Sequence, residues 1–383
     1  MIYLNNAATS WPKPEVVYQT HDAHLRHLSG SINRGAGGAS LDVDRAVLET
    51  RELVADFFNI QEPEQIIFAP NATEALNLAL QGLLAAGDHV IISSLEHNAV
   101  ARPLYALHAR GVEYTIVNCD PSGRLNPLDV ERAIVPRTRL ICLTQASNVT
   151  GTILPVNEVG EIARKRHLQY LIDTAQTAGE IPVDVEAAGI TLLAFTGHKG
   201  LLGPPGTGGL YIRYPETIRP LIFGGTGSRS ELLTQPEILP DKYESGTINA
   251  PAIAALGAGI RFIQEIGLDN IRHHTMGLTA RLLEGLRRLP EVILYGPLEA
   301  GERVPVVSLN IRGLYPGEAS AWLAEHYNLV TRSGLHCAPL AHRTIGTLQT
   351  GTLRLSPGFF TTPGEIDATL AAITELVGVM LDE

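Results

Sequence analysis

Cysteine is scarce: the chain has three, Cys119, Cys142 and Cys337, far apart and with no CxxC spacing. That argues against a disulfide framework or a structural zinc site and leaves reduced thiols as the expectation. Positive charge is also in deficit. Against 29 Lys and Arg stand 40 Asp and Glu, which disfavours a nucleic-acid partner, because such binding rests on neutralising phosphates. No apolar run is long enough to cross a bilayer, so no membrane partner is expected. The opening MIYLNNAATSWPKPE has neither a basic nor an apolar signal region, so no secretory signal is read and the expected compartment is the cytoplasm. Repeats and low-complexity tracts are missing as well. Two suggestive runs have plain readings. ARKRH, Ala163 to His167, ends a helix-like segment where cations suit the dipole, and reads as solvated surface. HDAHLRH, with His21, His24 and His27, lacks HExxH spacing and a convincing carboxylate, so no metal is expected.

What is there is a chain of 383 residues with 45% hydrophobic composition, long enough for one large and one small domain. From about residue 60 to 215, short apolar runs alternate with helical patterns: EQIIFAP then TEALNLALQGLLAAG, DHVIISS then NAVARPLYALHARG, RLICLTQAS then VNEVGEIARKRH. Strands alternating with helices imply right-handed βαβ crossovers and a mostly parallel sheet layered by helices. After Tyr243 the pattern changes to long apolar-periodic helices followed by strand-like VILYG, VPVVSLNI and TLRLSPG, which read as a smaller α+β domain. The expected division is 15–255 for the large domain, with 1–14 and 256–383 forming the small one.

Polar residues stand just past the carboxyl ends of successive predicted strands. Asn148, Asp173 and Lys199 lie 25 and 26 residues apart, about one βα unit each, with Gln176 and His198 beside them. Ligands of open α/β sheets bind outside those strand ends, so the side chains are expected to converge on one crevice. Singly, Asn148 reads as a turn former, Asp173 as a helix cap and Lys199 as a solvated loop residue. Together, a lysine, a carboxylate and a phosphate site are what pyridoxal 5'-phosphate (PLP) requires. APNATEALNLAL offers Asn71, Ala72 and Thr73 where a strand passes into a helix, and helix N-termini bind anions. A plain N-cap with Glu74 in the first turn is the structural alternative. SSLEHNAVARP places His97 past another strand, where an imidazole could lie on a pyridine ring.

Taken together, NATEALN, LEHNAV, ASNVTGT, IDTAQTAGEIPVDV, FTGHKGLLGPPGTGGLYI, YESGTINAPAIAAL and RSGLHCA resemble the class V, fold-type I PLP enzymes, and most closely the cysteine desulfurase and selenocysteine lyase family. The resemblance runs in order from YLNNAATS to RLSPGFF and implies the fold-type I architecture. It implies Lys199 as the lysine that holds the cofactor, Asp173 as partner of the pyridinium nitrogen, Gln176 at the ring hydroxyl and His97 as the stacking, proton-shuttling histidine. Ala72, Thr73, Thr196 and His198 correspond to phosphate-side contacts, and Thr247 to one delivered by the other subunit of a homodimer. Asn148 and Arg354 match the pair that binds the substrate carboxylate, with Arg34 on the same side.

TRSGLHCAPLAH carries Cys337. By itself a lone cysteine is most often a small buried residue. The resemblance makes it the nucleophile that takes sulfur from L-cysteine, leaving alanine and an enzyme persulfide for an acceptor protein or thiol, as in iron–sulfur cluster assembly. A thiolate needs a cationic or hydrogen-bonding neighbourhood, and Arg332 and His336 are near in sequence. Cys142 is expected in the core and Cys119 before a turn. Leu335, where many relatives carry histidine, and the glycine-rich stretch around Arg34 depart from the pattern. Three alternatives stay open: selenocysteine lyase, another class V aminotransferase or lyase that does not use Cys337, and a sulfur-trafficking scaffold without catalysis.

Overall fold

The structure, a computed structural model, describes residues 1–27 and 38–382. The first part of the chain contains β1 (Ile2–Tyr3), α1 (Glu15–His27), α2 (Gly38–Phe58), β2 (Ile66–Ala69), α3 (Ala72–Leu83), β3 (His89–Ser93), α4 (Asn98–His108) and β4 (Glu113–Val117). It continues through α5 (Pro127–Arg132), β5 (Thr138–Thr144), α6 (Val156–Lys165), β6 (Gln169–Asp173), β7 (Leu192–Thr196), β8 (Gly208–Ile212) and α7 (Ala250–Ile266). The remainder is α8 (Leu268–Leu286), β9 (Val292–Tyr295), β10 (Val307–Ile311), α9 (Pro316–Tyr327), β11 (Leu329–Val330), β12 (Arg332–Gly334), α10 (Pro339–Thr344), β13 (Thr352–Leu355) and α11 (Pro363–Asp382).

Seven strands form one sheet in the order β2-β8-β7-β6-β5-β3-β4. All neighbours are parallel except at β8, which runs against both β7 and β2. The sheet is covered on both faces, and the strands show it by alternation. Ile91, Ile141 and Ile172 face one apolar cluster, while Val90, Ile92, Cys142 and Leu171 face the other. A strand buried on both sides must be apolar at every position, which is why these segments read as continuous hydrophobic runs. This is the expected α/β class with a mostly parallel sheet.

A second, antiparallel sheet, β12-β13-β10-β9, is built from the C-terminal part. It packs through Val307, Leu309, Leu353 and Leu355 onto α8, α9 and α11. The N-terminus returns to this unit: β1 pairs with β11, and Leu4 lies in the same cluster. Residue 255 lies within α7. Among the described residues no helix is long and apolar enough to cross a membrane. The chain order places β4 and β5 on opposite sides of β3, so the connections diverge between β3 and β5, where a crevice opens at their carboxyl ends.

Candidate active site

The loops leaving β3, β5, β6 and β7 meet in one cleft. Its lining includes His97, Asn148, Asp173 and Gln176, then Thr196, His198 and Lys199, with Ala72 and Thr73 from the start of α3. The strand-end residues picked out in the sequence therefore converge. Asn71, read from the sequence with Ala72 and Thr73, joins Leu76, Ala99, Thr144 and Ala175 to complete the wall; the last four follow from their neighbours' positions and carry little sequence signal of their own.

Burial governs the chemistry of these groups. It pushes the Lys199 amine down to about 8, against the opposing effect of Asp173, and Arg354 and Arg332 push the same way as burial. Asp173 is 4% exposed, and burial raises its carboxyl although Ala175 N donates to Oδ1 at 2.9 Å and Lys199 lies nearby. His97 caps α4: its Nδ1 accepts from Ala99 N at 3.0 Å. Because Nδ1 is the acceptor, the proton of the neutral ring sits on Nε2. Burial, with Lys199 and Arg332, holds this imidazole at about 4 and therefore uncharged near neutrality.

These residues fit PLP on their own chemistry. Asn71 spends its side chain on Glu74 N, which leaves the first N–H groups of α3 pointing at the cleft for an anion. Buried Asp173 is suited to a protonated ring nitrogen, and His198, held at about 4 by burial, adds a neutral ring. Gln176 Nε2 donates to Ala7 O at 3.1 Å and keeps a second N–H. The lysine loop is braced from the N-terminal stretch: Ser10 Oγ donates to Lys199 O and Lys13 Nζ to His198 O, both at 2.8 Å. The sequence reading missed this brace.

Opposite the lysine stands a second arm on the C-terminal sheet. Arg354 is fully buried, with Nη1 donating to Asn148 O at 2.9 Å and Nη2 to Asn5 Oδ1 at 3.2 Å, while Nε has no partner. Burial and Arg332 lower its guanidinium to about 9. Arg332 on β12 is its direct cross-strand partner on β13. Like charges directly opposite destabilise a sheet unless a negative group offsets them, and a guanidinium suits a carboxylate.

Cys337 is exposed, and Arg332 Nη2 donates to its Sγ at 3.6 Å. His336 and Cys337 both have left-handed backbones, with φ of 47° and 59°. Their carbonyls are docked on the large sheet's loops: Asn148 Nδ2 donates to His336 O at 2.7 Å and Asn98 N to Cys337 O at 2.8 Å. Of the two neighbours expected to act on the thiol, Arg332 reaches it. The His336 ring turns away, its Nε2 lying 3.0 Å from Thr352 Oγ1 and 3.1 Å from Thr352 O. Cys142 is buried in β5, and burial pushes its thiol up; half-buried Cys119 is pushed up to about 12.

Thr247 is exposed on the β8–α7 connection and is not part of the cleft lining. Arg34 and residues 35–37 lie outside the described residues. One buried group went unread in the sequence. Glu96 Oε1 accepts from Ser93 Oγ at 2.5 Å and Thr144 N at 3.0 Å, Oε2 has no partner, and burial pushes the carboxyl up to about 8. Its place directly before His97 was its only trace.

The aminotransferase class-V model matches residues 2–369. A probable cysteine desulfurase of Methanothermobacter thermautotrophicus is 34% identical over 99% of this chain and 95% of its own length. The cysteine desulfurase of Klebsiella pneumoniae subsp. pneumoniae is 32% identical over 98% and 93%. Among solved structures, the apo cysteine desulfurase from Thermococcus onnurineus NA1 superposes with a TM-score of 0.92 at 34% identity, covering 98% of this chain and 94% of that one. Likeness of sequence and of fold thus extends over nearly the whole length, and the chain belongs to the aminotransferase class-V family, among the cysteine desulfurases.

Proposed function

We propose that the protein is a PLP-dependent cysteine desulfurase that converts L-cysteine to L-alanine and holds the sulfur as a persulfide on Cys337. The observation that carries this reading is the placement of Cys337, with Arg332 at its sulfur, on a loop hydrogen-bonded to Asn148 and to the start of the His97-capped helix.

Bound PLP supplies an electron sink for the substrate's α-carbon. Lys199 would hold it covalently, Asp173 would face its ring nitrogen, Gln176 its hydroxyl and His97 its ring face. Ala72, Thr73, Thr196 and His198 would surround its phosphate, joined by Thr247 from a second copy in a homodimer. Arg354 and Asn148 bind the substrate carboxylate. With an amine lowered to about 8, Lys199 is the base that takes the α-proton. Arg332 gives the Cys337 thiolate a cationic partner. The thiolate attacks the substrate Sγ, the Cβ–Sγ bond breaks, and the carbon fragment takes up a proton and leaves as alanine. Cysteine plus thiol becomes alanine plus persulfide, so no outside oxidant is needed. An acceptor protein or thiol then removes the sulfur, in the cytoplasm, as iron–sulfur assembly would require.

The seven-stranded and four-stranded sheets support a division into a large and a small part, taken as residues 15–255 and 1–14 with 256–383, with the boundary falling inside α7. Selenocysteine presents the same carboxylate and amine, so turnover of the two amino acids side by side ranks them. The deciding experiment is alanine formation by Cys337→Ala. Activity should fall by about 100-fold or more while the absorbance of lysine-bound PLP persists; alanine production at the unmodified rate refutes persulfide chemistry at Cys337.

A further inference from the structure

Two buried imidazoles beside Cys337 are left over by the chemistry above. His336 is 2% exposed and His342, on α10, is fully buried. Their ring centroids are 5.6 Å apart. Each ring has one satisfied nitrogen: His336 Nε2 on Thr352, and His342 Nδ1 at 2.7 Å from Thr347 Oγ1. Each has one nitrogen without a partner, Nδ1 of His336 and Nε2 of His342. Buried polar atoms are rarely left so, and two such atoms on neighbouring rings are best explained together.

We propose that Thr347, His342, His336 and Thr352 form a one-way hydrogen-bond relay that positions Cys337 for sulfur transfer. The direction follows from the acceptors. Thr352 O, 3.1 Å from His336 Nε2, can only accept; with the Thr352 hydroxyl accepting as well, Nε2 carries the proton and Nδ1 is a bare lone pair. The two nitrogens make no direct hydrogen bond, and a single water accepting from an N–H on His342 Nε2 and donating to that lone pair would satisfy both orphans. His342 Nδ1 must then accept from the Thr347 hydroxyl. Both rings stay neutral in this arrangement, in keeping with burial, which holds them at about 2 and about 4.

The relay acts where the backbone needs it. His336 and Cys337 occupy left-handed conformations that non-glycine residues adopt at a cost. The His336 ring ties that turn to β13, the strand that carries Arg354. His342 ties the far end of the segment to Thr347, whose N–H also donates to His342 O at 2.8 Å. Turn and helix are thereby held as one piece, and the Cys337 sulfur is presented to the cleft in one geometry. His336 and His342 are positioning residues: neither reaches the sulfur in any hydrogen bond described above.

This inference rests on Cys337 being the sulfur acceptor, and the test separates the two ideas. In holoenzyme, His342→Leu and Thr347→Val break the relay, and Thr347→Ser keeps its hydroxyl. The readouts are the rate of Cys337 alkylation by iodoacetamide, kcat and KM for alanine formation, lysine-bound PLP absorbance, and 15N spectra of labelled histidine. Expected are a shift in alkylation rate and a loss in kcat of about tenfold or more in the two disrupting variants, KM and PLP absorbance near the unmodified values, recovery in Thr347→Ser, and both rings as Nε2–H tautomers. Alkylation and kcat within about twofold of the parent, an Nδ1–H tautomer in either ring, or equal behaviour of Thr347→Val and Thr347→Ser overturns the relay. Should His342→Leu fail to fold, the Thr347 pair decides. Survival of alanine formation in Cys337→Ala would instead strike the desulfurase reading, and the alkylation rates would still report on the relay.

Discussion

Lys199 shows how much of this site's chemistry is a burial effect on single residues. An exposed lysine keeps its proton to about 10.4, whereas the native amine releases it at about 8. Covalent uptake of PLP by the apoprotein needs the neutral amine, so its rate should climb with pH and be half-maximal near 8; a profile still rising steeply above pH 10 would contradict the assignment. The same shift has a consequence for stability. Between the native and the unfolded value the unfolded chain binds more protons, so this residue makes the apoprotein more stable as pH rises through that window, and the contribution is flat below it. Asp173 is raised by burial, so the two groups oppose each other's penalties. Their pairing in the cleft could not be read from a linear spacing, which shows only that both lie one βα unit apart.

At the level of elements, the turn after β6 and the loop after β7 fit by close backbone approach. Gly179 has φ of 86°, and a Cβ there would sit 2.2 Å from Gly200 O. An L side chain is strained by that backbone and collides with the residue next to Lys199. Gly179→Ala should push the lysine loop outward and weaken PLP retention by about tenfold or more, measured as the PLP dissociation rate of the holoenzyme; unchanged retention would show that the loop yields freely. Strand–helix alternation made β3 to β7 and their polar ends legible, because apolar runs and turn residues are local signals. The reversal at β8 was legible in principle. Its connection, residues 197–207, is too short for a crossover helix and forces an antiparallel return. The facing of Arg332 and Arg354 was not legible, nor was the inward turn of His336. Both depend on cross-strand register between segments joined by a helix and loop, and no sequence period encodes that register.

On the scale of the whole molecule, the question is how a cleft on one sheet and a cysteine on a loop leaving another hold a common geometry. The loop after β5 is the joint. Four consecutive carbonyls accept from the C-terminal part of the chain: Asn148 O from Arg354 Nη1 at 2.9 Å, Val149 O from Ser308 Oγ at 2.6 Å, Thr150 O from Arg303 Nη2 at 2.6 Å and Gly151 O from Val304 N at 2.9 Å. Arg303 is the centre of this seam. It is fully buried and also donates to Pro297 O, Tyr295 O and Val306 O, so backbone dipoles stand in for a counter-ion, and burial lowers its guanidinium to about 10. Arg303→Met keeps bulk but leaves those carbonyls without donors, each costing about 1–3 kcal/mol when buried unsatisfied. Arg303→Lys offers one point charge in place of a fork and cannot restore them all. Both variants should lower the denaturant midpoint. Because the seam also sets Asn148 against Arg354, the KM for cysteine should rise by about tenfold with a smaller change in kcat. A loss of stability with unchanged KM would mean that the carboxylate site is held by β13 alone and that the seam serves only the fold.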